Sequence, residues 1–263
     1  MTEFKKALSN EFSSQNIRYH KSEICSIETL NSKKNNFLLN WNMRSLQSCF
    51  DELLVFLSNL KSLPVVIICT ESWITPDTVN DFEISNYKSH HVVRHDKKGG
   101  GVTVYVLNGY DSFKNQSLSF TNVYMEQIAV NVKINQTNYL ILGLYRIPDS
   151  NCNLFIDHVD ELLANRNTKN FILAGDMNID ILKKSNNSIN YLNVMFANGF
   201  NLCNNLVTRI NQENIKNSSL IDHIWANTLF NKVESITFDY NLSDHIPVML
   251  VYRQNILLTK KNY

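Results

Sequence analysis

An α/β domain built on mixed or antiparallel sheets, with its helices outside them, is the fold class that this sequence predicts. Three observations carry the prediction. Apolar runs of strand length recur along the chain with helical repeats inserted between only some of them, so strict strand-helix-strand alternation is rare. The run Val65 to Thr70, V-V-I-I-C-T, is apolar almost throughout, which implies burial on both faces of a sheet. The length of 263 residues lies near the upper size of a single hydrophobic core, roughly 250 to 300 residues. The expected organisation is a polar leader over residues 1–35, one domain over residues 36–254 and a short tail over residues 255–263.

Taken in order, Asn36 to Asn42 reads as a strand. Leu46, Phe50, Leu53, Leu54, Leu57 and Leu60 then repeat at helical spacing down to Ser62, with Ser45 as amino-terminal cap and Leu63-Pro64 as the stop. Val65 to Thr70 follows, placing the Glu71 carboxylate at the lip of the core. Tyr87 to Val93, Val102 to Leu107, Gln127 to Val132 and Tyr139 to Tyr145 read as strands. Lys97 to Gly101 makes a turn between the first two, because no Gly-Lys-Ser/Thr follows to make its glycines a phosphate loop. Phe155, Val159, Leu162 and Leu163 mark a second helix, and Phe171 to Ala174 a buried strand. A third helix runs from about Ser188 to Ala197, with Gly199 placed to end it. Leu220 to Ala226, Val233 to Phe238 and Val248 to Tyr252 are the remaining strands.

Composition limits the function classes. With 44% hydrophobic and 19% charged residues the chain is too apolar for disorder, and no unbroken apolar run is long enough to span a membrane. A net charge of +1 excludes an overall basic field, so any phosphate contact must be local. Arg94, Lys97 and Lys98, then Lys183 and Lys184, then Lys260 and Lys261 each read as solvated surface runs. Five scattered cysteines fit reduced thiols, and the first thirty residues show no secretory signal, so an intracellular protein is expected.

The stretch Phe171 to Leu182, F-I-L-A-G-D-M-N-I-D-I-L, carries most of the functional information. Asp176 and Asn178 follow an apolar strand two residues apart, and in an extended segment their side chains would share one small volume. An Asx-type turn after the strand is the plainer alternative. A second polar cluster, Leu242 to Val248, abuts another apolar run. Asn42, Glu71, Tyr145, Asp176, Asn178, Asp222, Asp244 and His245 all fall at strand ends. That mixture suits metal-assisted phosphate chemistry: hard oxygen ligands for Mg²⁺, a base near the attacking water, and donors where negative charge builds. His245 could donate to a phosphoryl oxygen with Asp222 orienting it. His223 alternates with Asp222 along its strand and should face the other way, in a structural role. Singly, Asn42 could cap the turn into the helix, Tyr145 could be a buried aromatic and Asp222 could cap a turn.

The ordered motifs L-L-N-W-N-M-R-S-L, T-E-S-W-I, G-G-G-V-T-V-Y-V, L-Y-R-I-P, G-D-M-N-I-D, S-L-I-D-H-I-W and S-D-H-I-P-V resemble the endonuclease/exonuclease/phosphatase superfamily. Within it the likeness is to the apurinic-type endonuclease domain of non-LTR, jockey-like retrotransposons, over about Leu38 to Val251. The resemblance implies a four-layered α/β sandwich, with two mixed, largely antiparallel β-sheets face to face and helices outside. It implies that Asn42, Glu71 and Asp244 serve a divalent metal, Mg²⁺ or alternatively Mn²⁺, and that Asp176 activates or positions water with Asn178 beside it. Tyr145 would contact the phosphate, Asp222 and His245 would form a dyad, and Arg146 and Arg44 are weaker candidates for phosphate contact. Ile147 and Met177 replace a proline and a phenylalanine common in that family, both apolar exchanges.

The function implied is metal-dependent nicking of DNA by a monomer, with the nucleus as the place of its substrate and a reverse transcriptase domain, absent from this chain, as a partner. Two alternatives stay open: a phosphoesterase of the same fold acting on a lipid or small-molecule phosphoester, and an inert remnant kept for binding.

Overall fold

Two face-to-face sheets form the middle of the molecule in the computed structural model, which describes residues 18–21, 35–60, 62–94, 99–211, 213–214, 217–227, 232–240 and 243–253. Among these the strands are β1 (Arg18–Lys21), β2 (Asn35–Asn42), β3 (Val66–Thr70), β4 (Tyr87–Val92), β5 (Val102–Leu107), β6 (Ser112–Lys114), β7 (Phe120–Thr121), β8 (Met125–Ile134), β9 (Thr137–Arg146), β10 (Phe171–Asp176), β11 (Asn201–Leu202), β12 (Asp222–Ala226), β13 (Lys232–Asp239) and β14 (Val248–Arg253). The helices are α1 (Leu46–Ser58), α2 (Cys152–Ala164) and α3 (Asn186–Ala197).

One sheet has the order β1-β13-β14-β2-β3-β5-β4 and the other β11-β12-β10-β9-β8-β6, with β7 also pairing β8. Parallel pairing is confined to β1 with β13, β2 with β3 and β9 with β10; the other described pairs are antiparallel. The expected mixed, largely antiparallel sandwich is therefore observed.

Strand periodicity explains the four layers. On β2 and β3, Leu38 and Ile68 face the other sheet, while Leu39, Trp41, Ile67 and Cys69 face α1. The inner face joins Val104, Ile128, Ile141, Ile172 and Leu250 into the central core. On the far side, Leu142, Leu173 and Trp225 pack against Phe155 and Val159 of α2 and Tyr191 of α3. Each such buried side chain contributes roughly 1.5–3 kcal/mol relative to exposure. The sheets approach closely at Gly143, where a Cβ would lie 3.0 Å from Val102 and 3.3 Å from Ile68 of the facing sheet.

The helices begin where their caps dictate. The Ser45 hydroxyl accepts the Ser48 N–H at 3.3 Å, while α3 starts two residues before the expected Ser188 because Ser185 and Ser188 form a reciprocal capping box. Helix α1 ends at Ser58 rather than Ser62, closed by the Asn59 cap. Short strands β6, β7 and β11 escaped the sequence reading, since two or three residues carry no periodic signal. Within the expected leader, Arg18–Lys21 adds an edge strand to β13; the other residues up to 34, Lys97, Lys98, Lys260, Lys261 and the tail lie outside the described residues.

Candidate active site

The carboxyl ends of β2, β3, β9 and β10 meet the start of β12 and the loop before β14, bringing together residues 42 to 245. Asp176 and Asp222 are direct cross-strand partners, and Tyr145 is in register with Asp176 on its other side. Two carboxylates facing each other across a sheet repel. Both are buried, with Asp176 and Asp222 each 1% exposed, so the arrangement needs compensation.

His245 supplies part of it. Its Nδ1 donates to Asp222 Oδ2 at 2.8 Å, both groups being buried. Burial alone would lower the histidine pKa, yet the Asp222 charge and hydrogen bond, reinforced by Asp176 and Asp244, raise it. The backbone that presents this ring is pinned by Trp41 Nε1 donating to the His245 carbonyl at 3.3 Å and by the Ser243 hydroxyl accepting the His245 N–H at 3.1 Å.

Asn42 supplies another part. One amide nitrogen donates to Glu71 Oε1 at 2.9 Å and to Asp176 Oδ2 at 2.8 Å, so two carboxylates converge on it. Its Oδ1 accepts the Arg44 N–H at 3.1 Å. As oriented, Asn42 bridges the acidic groups and does not turn its oxygen toward them, unlike the ligand role inferred from resemblance. Asp176 Oδ1 accepts the Asn178 N–H at 2.9 Å. Burial first, and the Asp222 charge second, hold the Asp176 pKa above the ordinary carboxylate range, against the opposing pull of His245. Burial likewise pushes the Tyr145 hydroxyl upward.

Backbone geometry explains why this sequence builds the site. Gly175 has φ 150°, and a Cβ there would lie 1.8 Å from the Leu144 carbonyl oxygen; only glycine lets β10 run this close to β9. Asn40, next to Asn42 on the inward face, reaches across to the Gly175 carbonyl at 3.5 Å. Glu71 sits just past β3 at φ 49°, with its carbonyl held by the Ser45 N–H at 2.9 Å.

Three expectations are corrected. Asn178 does not share an extended segment with Asp176: β10 ends at Asp176, Asn178 turns to φ 47°, and its amide donates to the Arg146 carbonyl at 2.7 Å. The Asp176–Asn178 link is the plainer Asx turn. Arg146 is taken up by backbone, donating to the carbonyls of Met177 at 2.8 Å, Asn178 at 2.9 Å and Ser150 at 3.0 Å; it braces that turn. Asp244 pairs with Arg44 at 3.0 Å and Arg209 at 2.7 Å. Although burial pushes its carboxyl up, Arg209, His245 and Arg44 hold it below its usual range, so its charge is engaged by cations already present.

His223 behaves as the alternation along β12 predicts. It lies opposite Gly175 on the face away from Asp222, stacked on Tyr191 with centroids 5.5 Å apart and within 3.1 Å of the Leu220 carbonyl. Among the basic spots, Arg94 pairs with buried Glu126 and Lys183 with Asp180 at 3.3 Å. The residue that sequence reasoning missed is Arg209, whose segment carries no motif.

The donor set fits a hard divalent cation. Asp176, Asp222 and His245 offer ligand atoms within 4.8 Å of one another, Glu71 joins through Asn42, and the buried Asp222 Oδ1 has no hydrogen-bond partner. Oxygen-rich, like-charged and with an orphaned carboxylate oxygen, the cluster has the chemistry that such a cation satisfies.

Comparison with known proteins bears on the fold. Residues 139–249 match the family model described as "Endonuclease-reverse transcriptase". The structure resembles the endonuclease domain of TRAS1, a telomere-specific non-LTR retrotransposon, with TM-score 0.67 and 14% identity over 83% of this chain and 98% of that one. The chain carries the endonuclease/exonuclease/phosphatase superfamily fold. An AP endonuclease from Leishmania major superposes with TM-score 0.67 at 12% identity, covering 97% of this chain and 99% of that one. The 3′ phosphatase NExo from Neisseria, bound to product DNA hairpin, gives TM-score 0.59 at 14% identity over 83% and 100% of the two chains. Comparison with curated protein sequences finds no match. The superfamily resemblance carried by the seven motifs is thus borne out, and the matched segment omits Asn42 and Glu71, which precede it.

Proposed function

We propose that the protein is a metal-dependent DNA endonuclease of retrotransposon type, acting as a monomer. The observation that carries the reading is the convergence of a buried Asp222–His245 pair, bonded at 2.8 Å, on a buried Asp176 linked through Asn42 to Glu71. DNA as substrate is supported by the relatives: a retrotransposon endonuclease, an AP endonuclease and a phosphatase bound to a DNA product.

Glu71 and the free oxygen of Asp222 would hold Mg²⁺, with Mn²⁺ as an alternative. When bound, the cation offsets the negative charge that builds on the phosphoryl oxygens. The side chains account for the proton movements. Asp176, with its pKa raised, accepts the proton of an attacking water as the new P–O bond forms. His245, held protonated by Asp222, donates a hydrogen bond from Nε2 to a phosphoryl oxygen as charge builds there, and the leaving oxygen takes a proton from solvent water as its P–O bond breaks. Tyr145 flanks Asp176 in register and would contact the phosphate.

Nicking of supercoiled plasmid, with Mg²⁺, with Mn²⁺ and with EDTA, tests the proposal beside Asp176→Ala and His245→Ala proteins. Cation-dependent nicking lost in both variants is the expected result. A folded wild-type protein that leaves DNA intact but hydrolyses a lipid or small-molecule phosphoester would move the assignment to the other branch of the fold.

A further inference from the structure

Beside the His245 loop lies a groove of about 650 Å³, bordered by Arg44, Lys183, Arg209 and Asp244. Its charges are unevenly matched. Lys183 has its own carboxylate in Asp180, whereas Arg44 and Arg209 share the single carboxylate of Asp244, one on each oxygen. Two guanidiniums on one carboxylate leave a net positive charge at the rim, and both arginine side chains remain 48% and 40% exposed.

The backbone shows that Arg209 is placed rather than loosely exposed. Arg209 makes β-bridges with Ser219 on one side and with His245 on the other. Ile210 N–H donates to the Asp244 carbonyl at 2.8 Å and Ile246 N–H to the Thr208 carbonyl at 2.6 Å. The Thr208 hydroxyl in turn accepts the N–H groups of Ile221 and Asp222 at 3.2 and 2.9 Å. The segment carrying Arg209 is therefore fastened to both halves of the Asp222–His245 pair. Arg209 spends Nε on Asp244, and among the described residues the Nη1/Nη2 fork is left to engage a second anion, the geometry in which guanidinium binds phosphate bidentately.

We propose that Arg209 and Arg44, braced by Asp244, clamp a non-reacting phosphate of the nucleic-acid strand, next to the phosphate at the Asp176–Asp222–His245 centre. The inference rests on the nucleic-acid reading of that centre and assigns Asp244 to the clamp in place of the metal. It also explains how a chain of net charge +1 gains a local hold on a polyanion.

The test separates the clamp from the chemistry. Binding of a fluorescent DNA duplex is followed by anisotropy in EDTA over a range of salt, for wild type, Arg209→Gln, Arg44→Gln, the double variant and Lys133→Gln on the distant β8 as control. Each phosphate contact contributes close to one unit to the slope of log K against log salt. The slope should shrink by about one for each arginine and about two for the double variant, and stay unchanged for Lys133→Gln. Circular dichroism melts establish that each variant is folded. A duplex series carrying one neutral methylphosphonate at successive positions should show about a tenfold affinity loss at one position in wild type, and none there in Arg209→Gln. An unchanged slope, a methylphosphonate penalty that persists in Arg209→Gln, or no duplex binding by folded wild type at low salt overturns the clamp. Coupled binding without nicking in Mg²⁺ keeps the clamp and removes the endonuclease reading; nicking with an unchanged slope does the reverse.

Discussion

Of the three Asp-His dipeptides in the chain, two lie in or beside sheet strands, Asp222-His223 in β12 and Asp244-His245 before β14, and these two come to opposite ends. In β12 the residues alternate across a sheet, so Asp222 enters the polar centre while His223 is sealed on Tyr191 in the outer core. In the second, His245 turns inward and Asp244 outward to two arginines. The buried hydrogen-bonded pair is thus assembled from one half of each, Asp222 with His245. Backbone context, not the dipeptide, decides which histidine is held charged and which is held neutral. Asp222 raises the pKa of His245 despite its burial, whereas burial lowers that of His223 to about 4.

The largest separation between the two should be catalytic. His245→Ala and Asp222→Asn are expected to lower nicking by roughly 10²–10⁴-fold, the range for removing a positioned proton donor or its electrostatic support, with both proteins folded by circular dichroism. Equal losses from His223→Phe in a folded protein would erase the distinction. Next in size is a backbone effect. Gly175→Ala would drive a methyl group into the Leu144 carbonyl and should cost several kcal/mol in urea unfolding, on the order of 3 or more; a near-neutral result would show that β10 can shift without harm.

His223→Ala should come third, destabilising by roughly 2–4 kcal/mol through lost packing and hydrogen bonding, while the turnover of folded molecules is retained. The smallest effect concerns pH. Because His223, His90 and His91 have folded pKa values lowered to about 4, the unfolded chain binds more protons in acid. Their contribution is complete above about pH 6.5 and is lost as pH falls toward 4. Urea midpoints measured from pH 7 to 4 should fall, and less steeply in His223→Gln; a flat wild-type profile would contradict the buried neutral state.

Motif order pointed to the superfamily fold, and strand alternation separated His223 from His245, because both depend on short-range spacing. The two-residue spacing of Asp176 and Asn178 misled for a physical reason. It assumes an extended backbone, and the chain leaves β10 at Asp176, with Arg146, some thirty positions earlier, bracing the turn. The pairing of Asp244 was not legible because its partner Arg209 lies 35 positions away and is aligned by bridges to Ser219 and His245 that no local pattern announces. Asn42 was found by motif but not in its orientation, which depends on where two other strands deliver their carboxylates.

The position of β14 between β13 and β2 sets an order of assembly. Contacts between residues some two hundred positions apart, such as Trp41 with His245, are formed late and slowly because they close very long loops. During vectorial synthesis, Asn42, Glu71, Asp176 and Asp222 all leave the ribosome before His245. A chain still being made therefore holds its acidic half without the imidazole that completes it, and under the proposed function nicking would begin only once β14 is in place.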